Sequence, residues 1–216
     1  MSSGSEKLIA LRSIIDARFP TARPAARRVV PTGIACVDDL LHGGFASGTL
    51  TEFVSAVPSG GSQLTFGGLL TSTRESRQRV AVVDAADAFD VAGFDDDALA
   101  HLVCVRCHTL AECWRCADVL ARDPNFAVVT IDVRGFSARE LLRTRDSVWV
   151  RLQRAAEHAD TALAVQSDTA VVPNAGARLV FDQPLADSAF LTPRVHLAAT
   201  ITAELQRSRA LRAFAS

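Results

Sequence analysis

Short, nearly continuous apolar runs along the chain alternate with longer stretches in which apolar residues recur every three or four positions. The runs fall at residues 49–54, 79–83, 102–105, 126–131 and 161–165. They are too short for helices and lack strict alternation, which predicts strands of a largely parallel sheet covered on both faces. Helical spacing fills the intervals: residues 62–75, 108–122 and 146–158 predict helices, the second with Leu110, Cys113, Ala117 and Leu120 on one face. Strands alternating with helices define an α/β fold. The last third differs, because residues 178–183 and 198–207 alternate apolar with polar and predict an antiparallel extension at the sheet edge. At the other end, Leu8, Leu11, Ile15 and Phe19 lie near one face of a predicted helix over residues 5–18. Pro20 and Pro24 among arginines then predict an extended linker. Residues 1–28 therefore read as an arm, and 29–216 as one core domain, a size that supports a single hydrophobic core.

The formal net charge of −1 rules out a surface coated in positive potential, so any DNA contact has to be local or indirect. Lys7 is the only lysine, and the abundance of arginine reads as compositional bias. No apolar run approaches the ~20 residues needed to span a bilayer. The first ten residues lack an export signal, so a cytoplasmic protein without membrane contact is expected. Cys104, Cys107, Cys113 and Cys116 form C-x2-C-x5-C-x2-C. The central spacing is tighter than structural zinc sites usually show, and the second pair falls on the predicted helix. Buried core thiols are expected, with no metal site.

Candidate chemistry concentrates where the first strand meets the first long helix. A phosphate-binding loop reads G-x-x-x-x-G-K-[ST]: backbone N–H groups wrap the phosphates, the lysine reaches the terminal ones and the hydroxyl holds Mg²⁺. The corresponding positions here are Ser55, Ala56, Val57, Pro58, Ser59, Gly60, Gly61 and Ser62. The second glycine and the hydroxyl are present; Ser55 stands for the first glycine and Gly61 for the lysine. Taken alone, the window reads as a Gly/Ser/Pro turn between a strand and a helix.

Its surroundings add ordered landmarks. PTGIACVDDLLHGGFASGTLTE, from Pro31, resembles the RecA-family segment leading into the P-loop strand. VAVVDAADAFD, from Val80, resembles the second core strand, with Asp84, Ala85 and Ala86 where the family carries Asp-Ala-Glu. CWRCADVLARDPNFAVVTIDVRGF, from Cys113, resembles the helix and Walker B strand, with Asp132 in the Mg²⁺-side position. This resemblance covers roughly residues 29–210 and implies a RecA-like P-loop NTPase core lacking both the P-loop lysine and the glutamate that activates water. A pseudo-ATPase with no catalytic residues and no cofactor is implied.

RecA proteins grip DNA with two long mobile loops, and here the corresponding stretches are short: residues 133–145, then QSDTAVVPNAG from Gln166, which has no basic residue. Arg134, Arg139, Arg143 and Arg145 read as a solvated helix face rather than a phosphate grip, so DNA contact is expected to be indirect or weak. ELQRSRALRAF, from Glu204, resembles the RecA strand end whose Lys-x-Lys reaches the nucleotide of the adjacent protomer, with Arg207 and Arg209 at those positions. That resemblance implies a partner-binding pair that could meet a RecA filament. The short chain, the missing lysine and VWVRLQRAAEHADTALAV, from Val148, look most like ImuA-type proteins. The likeness implies a non-hydrolysing accessory role in damage-induced (SOS) translesion DNA synthesis and mutagenesis, beside a Y-family-like polymerase subunit. A SulA-like division inhibitor binding a tubulin-like protein and an atypical ATPase remain the alternatives.

Overall fold

The computed structural model of the chain describes residues 27–85, 87 and 89–208. In order, it contains β1 (Val29–Val30), α1 (Ala35–Leu40), β2 (Phe45–Ala46), β3 (Leu50–Val54), α2 (Gly61–Glu75), β4 (Arg79–Asp84) and α3 (Asp96–Leu99). There follow β5 (Leu102–Arg106), α4 (Leu110–Leu120), β6 (Phe126–Asp132), α5 (Ala138–Leu141) and α6 (Asp146–Ala159). The chain continues through β7 (Ala162–Ser167), β8 (Ala177–Val180), α7 (Arg194–Ala198) and β9 (Glu204–Ser208). Seven strands form one sheet in the order β5-β4-β6-β7-β3-β8-β9, and β1 and β2 pair separately. Every neighbouring pair in the large sheet is parallel except β8 and β9.

The continuous apolar runs are explained by cover on both faces. Phe66, Leu69 and Leu70 of α2 pack with Phe53, Val82, Val128 and Phe181 on one side. Trp114 of α4 and Trp149 of α6 pack with Val83, Ile131 and Leu163 on the other, their ring centroids 4.9 Å apart. An edge-on aromatic pair of this kind contributes about 0.5–1.5 kcal/mol beyond its burial. Helix ends follow local chemistry. Thr109 caps α4 by accepting from Glu112 N–H, and Ser137 with Glu140 forms a capping box on α5. Asp160 ends α6 in the left-handed region.

The antiparallel extension expected at the sheet edge is the β8–β9 pair, with β8 itself parallel to β3 on its other side. Two expectations are corrected. The strand expected over residues 198–207 begins only at Glu204, because α7 occupies Arg194–Ala198. Cys104 is exposed, since β5 is an edge strand, whereas Cys107 and Cys113 are buried and Cys116 is half-buried on α4. The expected arm lies outside the described residues except for Arg27 and Arg28, which already meet the core: Arg28 donates to Asp160 O at 2.5 Å.

β7 and β8 flank β3, so the chain must cross β3 between them, and it does so through residues 168–176 without a helix. A crossing loop pressed on a sheet carries backbone groups that need partners. Glu52 of β3, fully buried, supplies them: one carboxylate oxygen accepts from Val171 N–H at 2.5 Å and Val172 N–H at 2.9 Å. Its other oxygen accepts from Arg178 Nε at 2.5 Å, and Arg178 Nη2 donates to Val172 O at 3.0 Å.

Candidate functional site: a closed P-loop

The P-loop window lies between β3 and α2, at the carboxyl ends of the parallel strands, the position where open α/β sheets bind ligands. Ser55 N–H continues the sheet by donating to Ser167 O at 3.0 Å. Ser59 Oγ lies 3.3 Å from Ser55 Oγ and accepts from Gly61 N–H at 3.2 Å, so loop hydroxyls cover a donor at the helix start. Gly60 sits at φ 66, a left-handed conformation that favours glycine. Ala56, Val57 and Pro58 complete the loop, where Leu185 N–H donates to Pro58 O at 3.0 Å.

Phe181 decides what position 61 can hold. A Cβ built on Gly61 would overlap the Phe181 ring, and one on Gly60 would meet Leu185 Cδ1. Phe181 is fully buried, edge-on to Phe53 at 5.5 Å between centroids, and its N–H donates to Val54 O at 2.9 Å. The segment following β8 therefore straps the P-loop from outside. A lysine at position 61 has no room unless this strap lifts.

Ser62 and Asp132 converge, as their motif positions imply, but a guanidinium bridges them. Arg134 Nε lies 3.0 and 3.2 Å from the two Asp132 oxygens, and Nη2 lies 2.5 Å from Oδ2. Its Nη1 reaches Ser62 Oγ at 3.4 Å. Both carboxylate and hydroxyl are buried. Burial opposes the charge of Arg134, but hydrogen bonds and attraction to Asp132, reinforced by Asp168 and Asp84, raise its pKa above the ordinary arginine value. This corrects the expectation of a solvated helix face: Arg134 follows β6 and points into the loop, whereas Arg139, Arg143 and Arg145 are exposed. Arg134 lies in the turn after β6, where its N–H donates to Asp132 Oδ1 at 3.1 Å and its guanidinium folds back onto the same carboxylate.

A cavity of about 320 Å³ remains beside the loop, lined by residues 55–60 with Ser62, Arg134 and Asp168. Its lining carries one guanidinium, already engaged by Asp132, and the carboxylate of Asp168, so no net positive charge faces a triphosphate. The residues present therefore do not fit a Mg²⁺-nucleotide: the lysine position is packed shut and the Asp132 carboxylate is taken. Ala86, at the position of the family's catalytic glutamate, lies outside the described residues.

Arg207 of β9 donates to Pro173 O at 2.7 Å and so ties the crossing loop to the sheet edge; Arg209 lies outside the described residues. Among the described residues no cluster of three or more His, Cys, Asp or Glu could hold a metal ion. None of their helices is long and apolar enough to cross a membrane.

No protein-family model matches the sequence, and no curated protein matches it. Among solved structures, 444 chains match. The crystal structure of the RadB recombinase superposes with a TM-score of 0.61 at 19% identity, covering 84% of this chain and 90% of that one. At that identity the likeness shows the fold, which is RecA-like.

Proposed function

We propose that this chain is a non-hydrolysing RecA-like accessory protein acting through protein partners in damage-induced, error-prone translesion DNA synthesis. The observation that carries the non-hydrolysing part is the packing of Phe181 on Gly61, which leaves no space for the cation that an ATP-hydrolysing P-loop needs. The pinned loop at residues 168–176 supports action through partners, because a loop held by Glu52, Arg178 and Arg207 is not free to wrap a DNA strand. The translesion assignment rests on the ImuA-like resemblance. The RecA-like fold agrees with a DNA-damage setting, since the matching RadB protein is named a recombinase.

The test is recovery of the tagged full chain from cells treated with a DNA-damaging agent, followed by identification of bound proteins. Polymerase subunits enriched over an untreated control are the expected result. Capture of a tubulin-like division protein instead would move the assignment to a division inhibitor. Steady-state ATP turnover that disappears in Ser62→Ala would overturn the non-hydrolysing reading.

A further inference from the structure

The structure assigns Arg134 as an internal cation: its guanidinium takes the place at Asp132 and Ser62 that a bound divalent ion would fill. This deepens the reading of a non-hydrolysing site and rests on it. In a working P-loop the hydroxyl and the Walker B aspartate stand on either side of Mg²⁺. Here the same two groups, Ser62 Oγ and the Asp132 carboxylate, are joined by a single side chain, forked onto both carboxylate oxygens and touching the hydroxyl. The Asp132 side chain is 3% exposed and that of Arg134 only 21%, so little water screens the pair.

Further negative charge surrounds it. Asp168 lines the same cavity and accepts from Gly135 N–H at 3.4 Å. Asp84 is fully buried at the end of the adjacent strand β4, paired in register with Asp132, and accepts from Phe89 N–H at 3.1 Å. Arg134 is bonded to Asp132, and Asp168 and Asp84 act on its charge from farther off. A fork-shaped guanidinium answers the Asp132 carboxylate with directional donors and permanent charge, which neither a lysine nor a water matches. The consequence is regulatory: the P-loop end of the sheet stays in its filled arrangement with no nucleotide present. Partner binding that depends on this end is therefore independent of ATP.

The experiment compares three purified full-length proteins: wild type, Arg134→Ala, and Arg134→Ala/Asp132→Ala. Thermal unfolding is followed with and without millimolar MnCl₂, and Mn²⁺ binding is read by electron paramagnetic resonance. Arg134→Ala is expected to unfold several degrees below wild type in EDTA, to recover part of that loss in Mn²⁺, and to bind the ion where wild type does not. The double variant should be more stable than Arg134→Ala and indifferent to Mn²⁺, because the uncompensated carboxylate has gone with its partner. Equal loss in the single and double variants, including failure of both to fold, would overturn the assignment. So would an Arg134→Ala protein with wild-type stability and no response to Mn²⁺. The partner-recovery experiment is separate, so a translesion reading that failed would leave this outcome standing, and the reverse.

Discussion

Gly61→Ala is the smallest change that tests whether the P-loop is packed shut. Position 61 opens a long helix, where replacing glycine by alanine ordinarily stabilises by about 0.5–1 kcal/mol. Here the added carbon would overlap the Phe181 ring. Crowding of this kind in a filled core costs about 1–3 kcal/mol. If the ring instead swings out, burial worth about 1.5–3 kcal/mol is lost, together with an edge-on contact to Phe53 worth about 0.5–1.5 kcal/mol. Set against the helix gain, the cheaper route, crowding, leaves a net loss of up to about 2.5 kcal/mol, read as a lower urea midpoint with an unchanged slope. Phe181→Ala alone should cost about 3–5 kcal/mol. The double variant should cost less than the sum of the two singles, because removing the ring removes the clash. A Gly61→Ala protein more stable than wild type, or strict additivity in the cycle, would refute the packing argument. Gly61→Lys carries the same clash with a longer side chain, and it is expected to leave ATP binding weaker than millimolar, a free energy under about 4 kcal/mol in magnitude.

Glu52→Gln leaves Arg178 without its buried counter-charge and should destabilise by about 3–5 kcal/mol; hydrogen exchange checks this, with the Val171 and Val172 amides losing protection first. Thiol labelling of native protein should modify Cys104 well before Cys107 and Cys113, and early loss of the latter two would contradict the packing around α4. Burial, with the hydrogen bond its S–H donates to Cys116, pushes the Cys107 thiol from 9.0 up to about 12. Below pH 9 it is protonated folded or unfolded; between 9 and 12 only the unfolded chain ionises, so stability should fall as pH rises through that window. Cys107→Ala should flatten that slope, and identical slopes in both proteins would remove the thiol as its cause. The Arg207→Ala/Arg209→Ala pair tests a contact to ATP-bound RecA filaments, expected to weaken by about 1.5–3 kcal/mol if the arginines reach phosphate; equal binding leaves Arg207 as the tie to Pro173.

The parallel core was legible because its signal is local: apolar runs bounded by helical periodicity need no knowledge of the partner strand. The convergence of Ser62 and Asp132 was legible for another reason, since motif spacing ties Ser62 to the start of α2 and Asp132 to the end of β6. What stayed hidden depends on approach through space. Phe181 was readable as a strand residue, yet nothing around it announces that its ring lies on a glycine 120 positions earlier. Arg134 was half legible: it directly follows the strand that carries Asp132, but the turn that folds it back is not announced, and its arginine neighbours at 139, 143 and 145 suggested a surface.

Glu52 is the instructive miss. A carboxylate inside an apolar run predicted to be covered on both faces demands a partner, because an unpaired buried charge is not tolerated. The demand could be read at Glu52 itself, but its answer, Arg178 with the amides of a crossing loop, lies more than a hundred residues away. The same logic explains why the closed site is self-consistent. Gly61 must lack a side chain because Phe181 is there, and Phe181 cannot leave without opening a cavity against Phe53. Asp132 cannot ligate an ion while Arg134 holds both its oxygens, and Arg134 cannot leave without stranding that carboxylate beside Asp84 and Asp168. Packing and charge thus close the site independently: removing Arg134 frees the ion position alone, and admitting a Mg²⁺-nucleotide requires at least two simultaneous changes, one at the Gly61–Phe181 contact and one at the Asp132–Arg134 pair.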